Sequence, residues 1–163
     1  MSCPIELKIS ISKQLMEVCK LGGKSLDQYS ISTAANGAGQ LMNSNCTPTG
    51  KHVIRAKIGD GEPVNTVFRG RRPTGEIYKT GMREAEPGRD WILTRILWLS
   101  GCEPGINRLK NVDTMRRYIY IHGTPDEVCM GIPGSHGCIR MRNHELLALY
   151  DLVSTGTPVT IFP

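Results

Sequence analysis

A strict alternation of apolar and polar residues near the start of the chain is the feature that most restricts its fold. Residues 5–12 read I-E-L-K-I-S-I-S, with isoleucine or leucine at every second position. This period of two places the apolar side chains on one face of a β-strand and the polar side chains on the other. A polar corner at 12–14 and the Gly22-Gly23 pair predict turns before two further strands, 15–19 and 26–33, in an antiparallel meander.

The rest of the chain also favours short strands over long helices. Its 163 residues include 18 glycines and 10 prolines, a turn-rich composition that argues against an all-helical bundle. Residues 91–99 are apolar on both faces, which is typical of a central strand, and residues 34–50 lack any apolar period and indicate a long surface loop. The other predicted strands are residues 52–58, 64–68, 76–79, 117–122 and 159–162.

One convincing helix is predicted near the carboxyl end. Asn143 is a suitable N-cap, and Gly156 and Pro158 stop the helix. Its apolar stripe is predicted to consist of Leu146, Leu147, Tyr150 and Val153. We therefore predict a mainly β protein: a β-sandwich or barrel of mixed sheets, with one principal helix, in a single domain over residues 1–163.

Charge and composition restrict the partners and the location. The net charge is +5, but the basic residues are scattered apart from Arg69, Arg71 and Arg72, and no basic-aromatic interleaving indicates nucleic-acid binding. No segment is apolar enough to span a bilayer, so we expect no membrane partner. Because no export signal precedes residue 13, we expect reduced cysteines and a cytoplasmic location, or a periplasmic one if a signal peptide has been removed from a longer precursor.

Two histidines and a cysteine surround one glycine-rich loop. Residues 122–124 read H-G-T and residues 135–140 read S-H-G-C-I-R. A thiol with an ordinary pKa of about 8.5 is only a few per cent thiolate at neutral pH, and it needs a neighbouring imidazole as general base. Either His122 or His136 could activate Cys138, and His122 can approach the sulfur from a separate strand.

Two further residues complete the candidate site. Gly137 leaves space beside the sulfur, so the backbone N–H groups of Gly137 and Cys138 could stabilise an oxyanion. Arg140 is suited to hold a substrate carboxylate through two parallel hydrogen bonds. Together with Cys138, these residues predict nucleophilic acyl-transfer chemistry.

A zinc site is the alternative interpretation of the same residues. No Cys-x-x-Cys or paired-histidine spacing supports it, so we expect neither a metal nor another cofactor. The candidate ligands would be His122, Cys129, His136, Cys138 and His144.

The pattern resembles the L,D-transpeptidase catalytic domain of the YkuD type. That family has a histidine, a glycine-rich spacer, Ser/Thr-His-Gly-Cys and then an arginine or asparagine. The resemblance implies that His122 is the base, that Gly123 through its carbonyl or Ser135 orients the imidazole, and that His136 stabilises the loop or the oxyanion. It extends over the chain through the opening hairpin, T-P-T-G at 47–50, P-T-G at 73–75 and G-T-P-V at 156–159.

The resemblance also implies a substrate. Family members attack the carbonyl between diaminopimelate and a terminal D-alanine in a peptidoglycan stem peptide and form a thioester. Water then gives L,D-carboxypeptidation, and a second stem gives a 3-3 cross-link. The expected cytoplasmic location favours an L,D-carboxypeptidase acting on muropeptides or nucleotide-linked precursors during recycling. The alternatives are an exported L,D-transpeptidase and an inactive peptidoglycan-binding module.

Overall fold

Ten β-strands form one hydrogen-bonded sheet that closes on itself in the computed structural model, which describes residues 3–163. The strands are β1 Ile5–Ser10, β2 Leu15–Lys20, β3 Ser25–Ser32, β4 Gly50–Ile58, β5 Thr66–Arg69, β6 Arg72–Ile77, β7 Ile92–Gly101, β8 Tyr120–Gly123, β9 Ile139–Met141 and β10 Pro158–Phe162. The helices are α1 Met82–Ala85 and α2 Asn143–Leu152, with a 3-10 turn at Lys110–Val112.

The predicted meander forms the first part of a closed barrel. Strands β1, β2 and β3 pair antiparallel, and β3 continues to β9, β8, β7, β4 and β10 before β10 returns to β1. The β8–β9 and β1–β10 pairs are parallel and the remaining pairs are antiparallel, so the sheet is mixed. The β5–β6 hairpin extends from the start of β7. The predicted fold class, mainly β with one principal helix, is confirmed.

The core lies inside the barrel and beneath α2. The alternating residues of β1 put Leu7 and Ile9 inside with no exposed surface. Helix α2 packs against β7 and β8 and adds Leu146 and Leu149 to the same apolar cluster. Leu149, rather than the predicted Leu147, belongs to the buried stripe, because a helix brings positions i, i+3, i+4 and i+7 to one face.

The two helices differ from the prediction in detail. Arg142 is the N-cap of α2, and the prediction of Asn143 there was wrong because that side chain points inward to buried polar groups. Helix α1, a single turn, was not predicted and lies between β6 and β7. Within residues 3–163, neither helix is long and apolar enough to cross a membrane.

Candidate active site

The parallel pairing of β8 with β9 places the cysteine next to the histidine strand. Ile121 is paired with Ile139 and His122 with Arg140, so Cys138 lies beside Tyr120. Because Tyr120 and His122 are two residues apart on β8, their side chains and that of Cys138 lie on the same face of the sheet. The Cys138 Sγ accepts a hydrogen bond from the Tyr120 N–H at 3.4 Å and donates one to the Tyr118 carbonyl oxygen at 3.4 Å. Two backbone groups therefore fix the sulfur.

The sulfur and the imidazole line one cavity. Its volume is about 160 Å³, and the Cys138 side chain is only half-buried within it, so a substrate can reach the sulfur. We call this space the sulfur cavity. Its lining residues are Asp90, Arg117, Tyr118, Ile119, His122, Ser135, His136 and Cys138. Four residues predicted from the motif are thus brought together here.

His122 is held in one tautomer. Its Nδ1 lies 2.6 Å from the Gly123 carbonyl oxygen, and a carbonyl can only accept, so Nδ1 carries the proton. The Nε2 lone pair is then available to accept a proton. Since the ring is 1% exposed, the surrounding protein rather than solvent determines its orientation.

Gly123 is packed closely against a buried polar network. A Cβ on Gly123 would lie 2.7 Å from the Leu93 carbonyl oxygen and would also overlap the Asn143 Oδ1. That Oδ1 accepts a hydrogen bond from the Thr94 hydroxyl at 2.6 Å, while the Asn143 Nδ2 donates to the Thr124 carbonyl oxygen at 2.9 Å. This network was not predicted from the sequence. Its signal in the sequence was Thr94, which together with Arg95 interrupts the otherwise apolar run 91–99.

We expect Gly123→Ala to destabilise the protein and slow its reaction. The new methyl group has no space, so the peptide that orients His122 must shift, and overpacking of this kind costs ~1–3 kcal/mol. The measurement is urea unfolding combined with the rate of Cys138 acylation. Gly88→Ala is the matched control, because its methyl group would meet nothing within 4 Å and its φ is not positive. Wild-type stability and rate in Gly123→Ala would contradict the packing argument.

Burial favours the neutral forms of both Cys138 and His122. Burial raises the pKa of Cys138 to about 12; the charge of Asp90 adds to this, while the Tyr120 N–H, Arg140 and Arg117 oppose it. Burial lowers the pKa of His122, against the effects of Asp90 and the Gly123 carbonyl. Both shifts favour a neutral thiol and a neutral imidazole over a thiolate–imidazolium pair.

Two predicted roles are corrected by hydrogen bonds within residues 135–138, which we call the catalytic loop. The Ser135 hydroxyl does not orient His122, because it donates to the Cys138 carbonyl oxygen at 2.5 Å and accepts from the Gly137 N–H at 3.1 Å. That Gly137 N–H is consequently engaged and not free for an oxyanion. The Cys138 N–H is the remaining candidate donor of the predicted pair.

The long loop 34–49 packs against the catalytic loop and helps to hold it in place. Thr47 Oγ1 donates to the Gly137 carbonyl oxygen at 2.9 Å. Arg117, which the sequence analysis did not select, donates to the carbonyl oxygens of Gly39, Gln40 and Cys46 at 3.1, 3.1 and 2.7 Å. The loop is therefore fixed by backbone contacts that no local sequence pattern specifies.

The two tyrosines before His122 have different environments. Tyr120 is buried, and its hydroxyl accepts a hydrogen bond from Arg71 at 3.1 Å. Tyr118 is 54% exposed and has a φ of 56°, so it precedes β8 and does not share its face, contrary to the prediction of a strand from residue 117. Tyr118 and the exposed His136 form the mouth of the sulfur cavity.

Arg140 and Asp90 lie beside the reacting groups. The Arg140 Nη2 is 3.8 Å from the Asp90 Oδ1, and its Nη1 donates to the Gly134 carbonyl oxygen at 3.2 Å. Asp90 was not predicted as a site residue, although it ends the polar segment 80–90. Among the residues that the structure describes, no three His, Cys, Asp or Glu side chains are grouped as metal ligands would be.

Comparison with known proteins identifies the family. The sequence profile of the YkuD family, described as the L,D-transpeptidase catalytic domain, matches residues 4–161. The chain belongs to the YkuD family of L,D-transpeptidase catalytic domains. YkuD of Bacillus subtilis (strain 168), an L,D-transpeptidase by name, is 34% identical over 89 residues, which are 55% of this chain and 44% of the relative.

Solved structures of L,D-transpeptidases share the YkuD-type fold. An L,D-transpeptidase from Mycobacterium smegmatis superposes with a TM-score of 0.56 at 20% identity, over 98% of this chain and 58% of that one. L,D-transpeptidase 3 from Mycobacterium tuberculosis, in complex with a faropenem-derived adduct, gives 0.58 at 15% identity, over 98% and 61%. This chain thus spans less than two thirds of the length of these relatives.

Proposed function

We propose that this YkuD domain is an L,D-carboxypeptidase that removes the terminal D-alanine from diaminopimelate-containing stem peptides. The observation that carries the proposal is the sulfur cavity: it contains the Cys138 Sγ and a His122 whose Nδ1 is committed to the Gly123 carbonyl. Soluble muropeptides and nucleotide-linked precursors are the proposed substrates, and a cytoplasmic location is proposed with them.

The reaction uses one base twice. As the Cys138 Sγ bonds to the diaminopimelate carbonyl carbon, its proton passes to the His122 Nε2 and the carbonyl oxygen becomes an oxyanion facing the Cys138 N–H. The oxyanion collapses, the C–N bond breaks, and the imidazolium protonates the leaving amine of D-alanine. A water then attacks the thioester while His122 takes its proton, and the Cys138 sulfur leaves and regains that proton.

The size of the sulfur cavity supports hydrolysis. Its volume of about 160 Å³ leaves room for water beside the thioester, since one water needs only about 10–15 Å³ of a cavity measured in this way. Once D-alanine departs, water fills this space at once, whereas a second stem peptide must thread an amine past Tyr118 and His136. Water is therefore the proposed acceptor.

A neighbouring cavity favours transpeptidation as the second candidate. It also has a volume of about 160 Å³ and shares Arg117, Tyr118, Ile119 and His136 with the sulfur cavity. Its outer wall is Met42, Asn43 and Asn45 of the long loop. An acceptor stem could lie here with its amine directed at the thioester.

Mass spectrometry of the products separates the two reactions. The protein is incubated with a disaccharide tetrapeptide that contains diaminopimelate. We expect loss of one D-alanine without dimers. Dimers joined between two diaminopimelate residues would replace the carboxypeptidase with the transpeptidase, and an unchanged tetrapeptide would reject both.

The lowered pKa of His122 predicts the pH dependence. The base must be neutral to accept the thiol proton, so kcat/KM falls only when the pH drops below the His122 pKa, which lies under the ordinary value of about 6.5. The thiol, with a pKa of about 12, adds no inflection between pH 7 and 9. The profile is measured with the tetrapeptide, with circular dichroism at each pH as the folding control. An acid limb centred above pH 7 would contradict this assignment.

A further inference from the structure

Three arginines lie together at the end of the β5–β6 hairpin, and we call them the arginine tip. Arg69 on β5 is paired directly with Arg72 on β6, and Arg71 lies in the two-residue turn between them. Like charges placed directly opposite each other on two strands destabilise a hairpin. Within residues 3–163 none of the three forms an ion pair, and the one carboxylate on either strand, Glu76, is already paired with Arg89. The positive charge of the tip is therefore not neutralised by the protein.

The turn itself would be more favourable with glycine in place of Arg71. Both of its central residues have a positive φ, 56° at Gly70 and 64° at Arg71, as in the type I′ turns that join paired strands. For a residue with a Cβ this left-handed conformation is costly, and residues held in it are concentrated at binding sites. An arginine at this position therefore indicates a role for its guanidinium.

The Arg71 guanidinium lies next to the mouth of the sulfur cavity. Its central carbon is 4.7 Å from the Trp98 ring centre and 5.0 Å from the Tyr118 ring centre, and its Nη1 donates to the Tyr120 hydroxyl at 3.1 Å. Tyr118 lines the sulfur cavity, and its carbonyl oxygen accepts the Cys138 hydrogen bond. A single exposed residue, Tyr118, thus connects the arginine tip to the reacting sulfur.

The chemistry of the arginine tip fits a ligand with more than one negative charge. Arg69 and Arg72 are exposed, and Arg71 uses one of its five N–H donors on Tyr120. Guanidinium groups bind phosphate oxygens through parallel, charge-assisted hydrogen bonds. A diphosphate carries enough charge and enough acceptor oxygens to contact several arginines at once, whereas a single carboxylate does not.

We propose that the arginine tip binds the diphosphate of a nucleotide-linked stem peptide. The proposal rests on the proposed function, and it selects nucleotide-linked precursors over free muropeptides as the substrate. In such a precursor the diphosphate lies beyond the muramyl sugar, at the opposite end of the molecule from the terminal D-alanine. With the attacked carbonyl at Cys138, three extended stem residues span about 10 Å, so the sugar and its diphosphate lie outside the sulfur cavity, past Tyr118.

Removal of the nucleotide from the substrate tests this binding. The value of kcat/KM is measured for a uridine-diphosphate-linked muramyl tetrapeptide and for the same muramyl tetrapeptide without the nucleotide. We expect the wild type to prefer the linked peptide by ~30-fold at low salt, because charge-assisted hydrogen bonds are lost with the diphosphate. Arg69→Gln and Arg72→Gln should each reduce that preference to ~3-fold. Added sodium chloride should reduce the wild-type preference, since exposed charges are screened.

Stability and a matched variant make the result specific. Arg69→Gln and Arg72→Gln should each be at least as stable to urea as the wild type, because each removes the repulsion between the paired arginines. A weaker preference in these variants is then not a folding defect. Lys24→Gln removes an exposed positive charge from the turn between β2 and β3, and it should keep the full preference.

Three results would overturn the diphosphate site while the carboxypeptidase stands. The first is equal cleavage of the two peptides by the wild type. The second is a fall in kcat/KM by one common factor for both peptides in Arg69→Gln and Arg72→Gln. The third is a stronger preference for the same peptide linked through a diphosphate to a lipid in detergent micelles, which would reject the nucleotide as the carrier.

A binding measurement separates this proposal from the proposed function. If the wild type cleaves neither peptide, the carboxypeptidase is rejected, and calorimetry with the uridine-diphosphate-linked peptide tests the arginine tip alone. Binding that is weakened ~10-fold by Arg69→Gln but not by Lys24→Gln would support the diphosphate site. Absence of binding, or equal affinity in both variants, would overturn it.

Discussion

Cys138→Ala is expected to lose all measurable turnover of the tetrapeptide, a fall of at least ~10⁴-fold in kcat/KM. The sulfur is the atom that forms the thioester in the proposed reaction, and it is the one thiol among the residues that line the sulfur cavity. Ser135 cannot substitute, because its hydroxyl is donated to the Cys138 carbonyl oxygen. The measurement is product formation by mass spectrometry over a long incubation.

The fold should survive this change. The thiol makes only two weak hydrogen bonds, at 3.4 Å each, so its removal leaves the barrel core intact. Cys102→Ala, at an exposed cysteine, is the matched control and should retain wild-type activity. Turnover by Cys138→Ala within ~10-fold of wild type would end the nucleophile assignment.

A carbapenem pulse distinguishes the enzyme from the inactive binding module. An acylating enzyme gains one covalent adduct on Cys138, whereas a binding module leaves the chain mass unchanged. Cys138→Ala should gain no adduct, and Cys102→Ala should gain the same one as wild type. An unmodified wild type that still binds stem peptides would favour the binding module.

The local pattern of the sequence predicted most individual strands, but not the way they close. A period of two is visible in β1, and the largely apolar run 91–99 marks β7 as a central strand, since β7 has neighbours on both edges. The pairs that close the barrel, β4 with β7 and β4 with β10, join residues far apart in the chain. Such pairings depend on the packing of a shared core, which no local window contains.

The candidate site, like the fold, was predicted from the sequence only in part. The motif located Cys138 and His122 because their chemistry requires particular residue types at particular places. The groups that position them are backbone and polar side-chain contacts: the Gly123 carbonyl accepts from the His122 Nδ1, Gly123 lies so close to Asn143 that a Cβ would overlap it, and Thr47 donates to the Gly137 carbonyl. Asn143 looked like a helix cap, since asparagine favours that position. Only the approach of β7 and β8 shows that its side chain is needed inside.

His122→Ala is expected to lower kcat/KM by ~10³-fold while the protein still folds, because general base catalysis typically contributes 10²–10⁴-fold. With the thiol pKa near 12, spontaneous ionisation of Cys138 supplies very little thiolate at neutral pH, so the imidazole is needed for attack. The acid limb of the pH profile should disappear with the ring. The measurements are the tetrapeptide rate and its pH profile.

Added imidazole should restore part of the activity of His122→Ala, since the truncated side chain leaves a space beside the sulfur for the free base. The control is His52→Gln. His52 is also a buried imidazole, with a pKa lowered to about 4 by burial, but its Nε2 lies 2.9 Å from the Thr114 hydroxyl and outside the sulfur cavity. It should lose stability, keep its acid limb and gain nothing from imidazole. Equal rescue of both variants, or of neither, would remove His122 as the base and leave it a packing residue of β8.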